Sequence, residues 1–156
     1  MIVIDIPGRS LIQAEALVMD YNGTLAIDGI IIQGVRERLI SLAPLINLFI
    51  VTADTFGKAE ENLKDIDCGL IILESGNQQQ QKAEFVRKLT TEGVIAIGNG
   101  LNDALMLKNA TLGIGVIQNE GASLHALLSA EIITNNILDA LDLLTNPLRM
   151  AATLRK

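Results

Sequence analysis

The strongest constraint on what this chain can fold into is a series of short apolar runs, each followed by a stretch with helical periodicity. The runs cover residues 16–19, 48–51, 70–73, 94–97 and 112–116, with a weaker one at 131–133. They are rich in Ile, Val and Leu and mostly lack the alternation of a half-exposed strand. That pattern fits strands buried on both faces, hence a parallel sheet. Helical patterns lie between them at about 35–43, 56–64, 79–91, 102–108 and 121–128. Strand–helix alternation of this kind predicts a doubly wound α/β fold: three layers, Rossmann-like, with helices on both faces of the sheet. Composition agrees, because 19% charged residues against 49% hydrophobic ones leave little polar surface for an open sheet face.

The flanks read differently. "IVIDI", a Pro7-Gly8 turn and "SLIQ" predict a hairpin or edge element over residues 1–13. Residues 136–156 read as helices, with Pro147 in a first turn after a polar cap. With a core over 16–133 and no linker composition, the expectation is a single domain over residues 1–156.

Several function classes are disfavoured. A net charge of −6 lacks the basic footprint of a nucleic-acid binder, although a metal and one lysine can still reverse the sign of a pocket. The longest apolar stretch, 42–53, is interrupted by Asn47 and too short to span a bilayer. The opening "MIVIDIPG" lacks a secretory pattern. Cys68 is the only cysteine, so no internal disulfide is available and a reducing, cytoplasmic setting is expected. The single histidine, His125, is assigned no role.

The polar residues carry the functional signal by their position. Asp20 follows "ALVM", Thr52 follows "LFIV", and Gly98-Asn99 follows "VIAI". In open α/β sheets ligands bind beyond the carboxyl ends of the strands. The bland alternative is that polar residues simply begin loops. In "DYNGTL", Asp20 can attack phosphorus to form an acyl phosphate, Gly23 permits an unusual turn, and Thr24 can orient the carboxylate. In "VTADTFG", the Thr52 hydroxyl can bond a phosphoryl oxygen, while Asp54 and Thr55 read as helix caps. Lys82, near a helix start, either neutralises a phosphoryl group or is a solvated surface lysine. In "GNGLND", Asp103 offers a hard oxygen for Mg²⁺ and Asn99 a neutral one, with capping as the alternative, most of all for Asn102.

Taken in order, these segments resemble the four motifs of the haloacid dehalogenase superfamily, most closely the phosphorylation domain of P-type ATPases. The strings DKTGT, TGD, a helix-borne lysine and GDGxND appear here as "DYNGT", "TAD", Lys82 and "GNGLND". The stretch "KAEFVRKLTTEGVIAIGNGLNDALMLKNATLGIGV" continues the likeness. The resemblance implies Asp20 as nucleophile and a phosphoryl group bound by Gly23, Thr24, Thr52, Ala53 and Lys82. It implies Mg²⁺ held by Asp20, the Asn22 backbone carbonyl and Asp103 with Asn99 nearby, and Asn102 supporting the last loop. The expected activity is Mg²⁺-dependent phosphoryl transfer or phosphatase chemistry on a phosphorylated small molecule or protein. The stretch from Thr24 to Thr52 is too short for the ATPases' nucleotide-binding insertion, which disfavours ATP hydrolysis. The spacings also leave no room for a cap domain, so the site is expected to be open, or closed by a partner in a homo-oligomer.

Two residues depart from the family pattern. Asn22 stands where superfamily phosphatases carry an acid–base aspartate, and Asn99 where the family has a metal-binding aspartate. Asn22 cannot shuttle a proton at neutral pH, a function worth roughly 10²–10⁴ in rate. The alternative they motivate is a catalytically degenerate binding or regulatory module on the same scaffold.

Overall fold

Alternate residues of the strand Ala16–Met19 point to opposite faces, and this period of two organises the architecture. In the computed structural model, which describes residues 1–54, 57–89 and 93–156, that strand is buried along its whole length. Leu17 and Met19 join one hydrophobic cluster and Ala16 and Val18 a second on the other face. A strand covered on both sides has no polar alternate, which explains its unbroken apolar sequence.

The chain opens with an antiparallel hairpin of β1 (Ile2–Ile4) and β2 (Ile12–Ala14), followed at once by β3 (Ala16–Met19). A smaller hairpin, β4 (Ala26–Ile27) and β5 (Ile30–Ile31), precedes α1 (Val35–Leu42). Alternation then sets in: β6 (Asn47–Thr52), α2 (Ala59–Leu63), β7 (Gly69–Ile72), α3 (Gln78–Leu89) and β8 (Val94–Gly98). A 3-10 turn (Leu101–Asp103) leads into α4 (Ala104–Asn109), β9 (Leu112–Val116), α5 (Leu124–Leu128) and β10 (Ile132–Thr134). The last two elements are α6 (Ile137–Thr145), capped by Asn136, and α7 (Pro147–Leu154), with Pro147 in its first turn. No helix among the described residues is long and apolar enough to cross a membrane.

Six strands form one sheet in the order β10-β9-β8-β3-β6-β7, and every neighbouring pair is parallel. α1, α2, α6 and α7 cover one face through Leu39, Leu63, Leu141 and Met150. α3, α4 and α5 cover the other through Val86, Leu107 and Ala126. The expected three-layer α/β fold is therefore the observed one. From β3 the chain runs outward to β6 and β7, then returns to β8 on the opposite side of β3. This reversal opens a crevice at the carboxyl ends of β3, β6 and β8. Register sharpens the point: Met19 lies beside both Ile50 and Ile97, so the three strands deliver their following loops to one place.

Local chemistry explains the departures from the sequence pattern. The helix expected at 56–64 starts only at Ala59, because Asp54 and Gly57 adopt positive φ (46° and 62°) that no α-helix accommodates. The one expected at 121–128 begins at Leu124, after Gly121 at φ 74°. Thr55, proposed as a cap, and the ends at Phe56 and Thr91 lie outside the described residues. The β4–β5 hairpin was not foreseen, although its turn is an Asp28-Gly29 pair with φ of 51° and 76°.

Candidate active site

The loop after β3 folds back on itself at once. The Tyr21 carbonyl accepts from the amides of Thr24, Leu25 and Ala26, and the Gly23 amide donates to the Ala26 carbonyl at 2.7 Å. Gly23 sits at φ 82°, and a Cβ there would lie 2.7 Å from both the Asn99 amide and the Glu120 carboxylate. Glycine is therefore required by conformation and by space. The tight turn leaves Asp20 at the strand end with its Oδ2 accepting from the Thr24 hydroxyl at 3.3 Å. That hydroxyl also lies 3.2 Å from Asn99 Oδ1, so Thr24 ties the first and last motif loops together.

Lys82 is not a surface lysine. Its side chain is 1% exposed, and Nζ donates to Asp20 Oδ1 at 2.5 Å and Asp103 Oδ1 at 2.6 Å. Burial alone would lower the Lys82 pKa, but the two carboxylates outweigh it and hold the ammonium above its ordinary value. Burial pushes Asp20 the other way, to about 6, with Asp103 adding to the rise and Lys82 opposing it. Asp103 Oδ2 accepts from the amides of Asn99 and Gly100 at 3.0 and 2.8 Å. Both Asp103 oxygens are thus committed, to Lys82 and to the loop.

A cavity of about 230 Å³ opens in front of this cluster, lined by Asp20, Asn22, Thr52, Ala53, Gln78, Asn99, Gly100, Asn102 and Glu120. The structure brings Asp20, Asn22, Thr52, Ala53, Asn99 and Asn102 to this one wall. Gly23, Thr24 and Lys82 stand behind it as supports. Asp103 is fully buried and does not line the cavity; Asn99 does. Thr52 Oγ1 accepts from the Asp54 amide at 2.9 Å, which leaves its hydrogen free to donate. Asp54 Oδ1 accepts from the Lys58 and Ala59 amides and so caps α2, as its position in the sequence indicated.

Three residues of the site escaped the sequence reading. Gln78 lines the cavity and accepts from Asn102 Nδ2 at 3.4 Å. Gln118 Nε2 donates to the Gly23 and Thr24 carbonyls at 2.8 and 2.6 Å, and its Oε1 accepts from the Ile137 amide. Glu120 lies on the cavity rim in the same loop. The signal was present: this loop too follows a buried strand, β9, at the carboxyl edge of the sheet.

The donor set suits a hard cation. Asn22 Oδ1 is buried with no hydrogen-bond partner, alone in this among buried side-chain atoms of the described residues. Such an orphan calls for a partner. Every candidate donor on the wall is an oxygen, the set preferred by Mg²⁺, which keeps several waters and takes one or two carboxylates. No three His, Cys, Asp or Glu side chains among the described residues converge into a denser cluster.

A parallel sheet with this switch point, an aspartate ending the central strand and a buried lysine from the helical layer make up a haloacid dehalogenase-like fold. The chain is a homologue of a soluble P-type ATPase-like phosphatase and of the phosphorylation domains of P-type ATPases, and it shares its fold with haloacid dehalogenase superfamily hydrolases. It is 30% identical over 139 residues to a soluble P-type ATPase-like phosphatase of Methanocaldococcus jannaschii, covering 83% of this chain and 50% of that protein. It is 31% identical over 97 residues to a probable copper-exporting P-type ATPase of Archaeoglobus fulgidus, covering 61% of this chain and 12% of the other. An uncharacterized protein of M. jannaschii is 48% identical over 84 residues, 51% of this chain and 90% of that one. The chain thus spans only half of the phosphatase it matches. No family model matches.

Solved structures give the same fold. A 3-deoxy-D-manno-octulosonate 8-phosphate phosphatase from Moraxella catarrhalis, in complex with magnesium, phosphate and sugar, superposes with a TM-score of 0.64 at 16% identity, over 86% of this chain and 87% of that one. A zinc-transporting PIB-type ATPase gives 0.64 at 22%, over 79% and 20%.

Proposed function

We propose that this chain is a Mg²⁺-dependent phosphohydrolase that transfers a phosphoryl group first to Asp20 and then to water. The observation that carries the reading is the buried Asp20–Lys82 pair at the end of the central strand, facing a cavity of phosphate-compatible size. In the first step an Asp20 oxygen attacks phosphorus, the bond to the leaving oxygen breaks with its electron pair, and an acyl phosphate forms. In the second step water attacks phosphorus, the acyl phosphate bond breaks, and the carboxylate returns with inorganic phosphate released. Lys82 and the free Thr52 hydrogen stabilise the charge on the transferring group. Asp20, Asn22 and Asn99 would hold the ion, with Asp103 behind them fixing the Asn99 loop and Lys82. The ion would neutralise phosphoryl oxygens during transfer.

Asn22 cannot protonate the leaving group, so turnover is expected to favour substrates whose leaving oxygen is already a weak base. The relatives support phosphorylated small molecules as the substrate class. Turnover on a panel of phosphoesters and acyl phosphates with Mg²⁺, abolished by Asp20→Asn, tests the reading. No turnover together with no beryllofluoride adduct on Asp20 at high Mg²⁺ would overturn it. A second reading, a binding or regulatory module, is favoured by Asn22 and Asn99 alone. It predicts that Asn22→Asp with Asn99→Asp creates hydrolysis that the natural chain lacks.

A further inference from the structure

The cation site proposed above is short of negative charge. Asp20 and Asp103 carry two charges and Lys82 cancels one, while Asn99 and Asn22 are neutral. Until a phosphoryl group arrives with its own negative charge, these side chains would leave a divalent ion only partly neutralised.

We propose that Glu120 is the second carboxylate of this cation site, supplying the charge that Asn99 does not; this rests on the metal-dependent reading. Glu120 lines the same cavity as Asp20, Asn22 and Asn99. Its Oε2 and the Asn99 amide both press on the bare backbone of Gly23, each within 2.7 Å of where a Cβ would stand. A side chain at residue 23 would drive the carboxylate out of the site.

The loop around Glu120 is anchored from both directions. Two residues before it, Gln118 bonds the Gly23 and Thr24 carbonyls of the nucleophile loop. On its other side, the Gly121 carbonyl accepts from Asn99 Nδ2 at 3.1 Å and the Ser123 amide donates to the Asn99 carbonyl at 2.8 Å. The backbone on either side of Glu120 is therefore held between the two loops that carry Asp20 and Asn99. Its carboxylate has no hydrogen bond or ion pair among the described residues, and the same cavity is lined by Asn22, whose side-chain oxygen is buried without a partner. One carboxylate from Asp20 and one from Glu120, with amide oxygens and waters, meet the needs of Mg²⁺.

Mn²⁺ binding to the metal-stripped full chain, followed by electron paramagnetic resonance with Mg²⁺ competition, reads the site without turnover. Glu120→Gln should weaken Mn²⁺ binding about tenfold or more, the scale of a lost supporting carboxylate. Asn99→Asp combined with Glu120→Gln should return affinity to the natural range, because the charge is restored at the neighbouring position. Glu120 is exposed, so Glu120→Gln should not disturb the fold; Asn99 is buried and its amide donates to the Gly121 carbonyl, so the double variant is read beside its circular dichroism and Tm. Unchanged affinity in Glu120→Gln would overturn the inference while leaving the metal-dependent reading standing. No Mn²⁺ or Mg²⁺ binding by the natural chain would overturn both.

Discussion

The two sides of the cavity are built on opposite plans. On one side Asp20, Lys82 and Asp103 form a buried cluster in which the ammonium is shared by two carboxylates and the far Asp103 oxygen is held by backbone amides. On the other side Asn22 keeps a buried oxygen with no partner and Glu120 a carboxylate with none among the described residues. The difference teaches where the scaffold is pre-organised. The side proposed to take the phosphoryl group has its charges desolvated and oriented before any ligand arrives. The side proposed to hold the cation has its oxygens in place, with the buried one on Asn22 still unsatisfied.

Removing the shared cation should break this contrast most severely. Lys82→Met would leave two carboxylates facing each other in a buried site, and breaking a buried pair costs about 3–5 kcal/mol. Urea denaturation at neutral pH should show a loss of that size, shrinking in acid as Asp20 takes up a proton.

Asp20→Asn should move stability the other way. In the folded chain Asp20 is held at about 6, above its ordinary 3.8, so the folded state binds the proton more tightly than the unfolded one. The stability this contributes is fully present below about pH 4 and is lost as pH rises through about 6. Asparagine has no proton to lose. The variant should therefore be more stable than the natural chain at neutral pH in chelator, and match it near pH 4. Equal stability of the two chains across that window would show that Asp20 is not held up by burial.

The same two sides differ in how far the sequence reveals them. β3 and β9 have the bounds of their apolar runs because strands buried on both faces are marked by composition alone. Asp20, Thr52 and Asn99 could be read because a parallel sheet sends its strand ends to one edge. Lys82 kept two readings, since its burial depends on carboxylates 62 and 21 residues away in sequence. Asp103 was legible as a site residue, but its engagement with the loop amides and Lys82 follows from tertiary packing. Gln118 and Glu120 act only because their loop meets one about 95 residues earlier, a meeting no local pattern records. The β4–β5 hairpin, two residues to a strand, is too short to display a period.

Gln118 links the two sides, and its loss should be felt at both. Gln118→Ala would leave the Gly23 and Thr24 carbonyls without their shared donor and the Ile137 amide without its acceptor. Partly buried hydrogen bonds of this kind are worth about 1–2 kcal/mol in stability. The activity loss should be larger than the stability loss implies, because the freed loop carries Asp20 and abuts Glu120. A variant with reduced stability and unchanged kcat would show that the clamp serves the fold alone.

The smallest effect is expected where the charges are equally well paired but wet. Arg38 grips Asp142 through two bonds of 2.7 and 2.8 Å, joining α1 to α6 with the geometry of a strong pair. Its side chains are 33% and 38% exposed, against 1% for Lys82. Water and salt therefore screen the attraction, and removal of either partner leaves the other solvated. Arg38→Ala should lower Tm slightly at low ionic strength and by nearly nothing in molar salt, whereas the loss from Lys82→Met should persist in both. The hydrogen bond from Arg38 holds the Asp142 pKa below the ordinary carboxylate range, so what the pair contributes is present at neutral pH and vanishes as pH falls through that range. A large, salt-insensitive loss at Arg38 would show that pairing geometry rather than burial sets the strength of ion pairs in this fold.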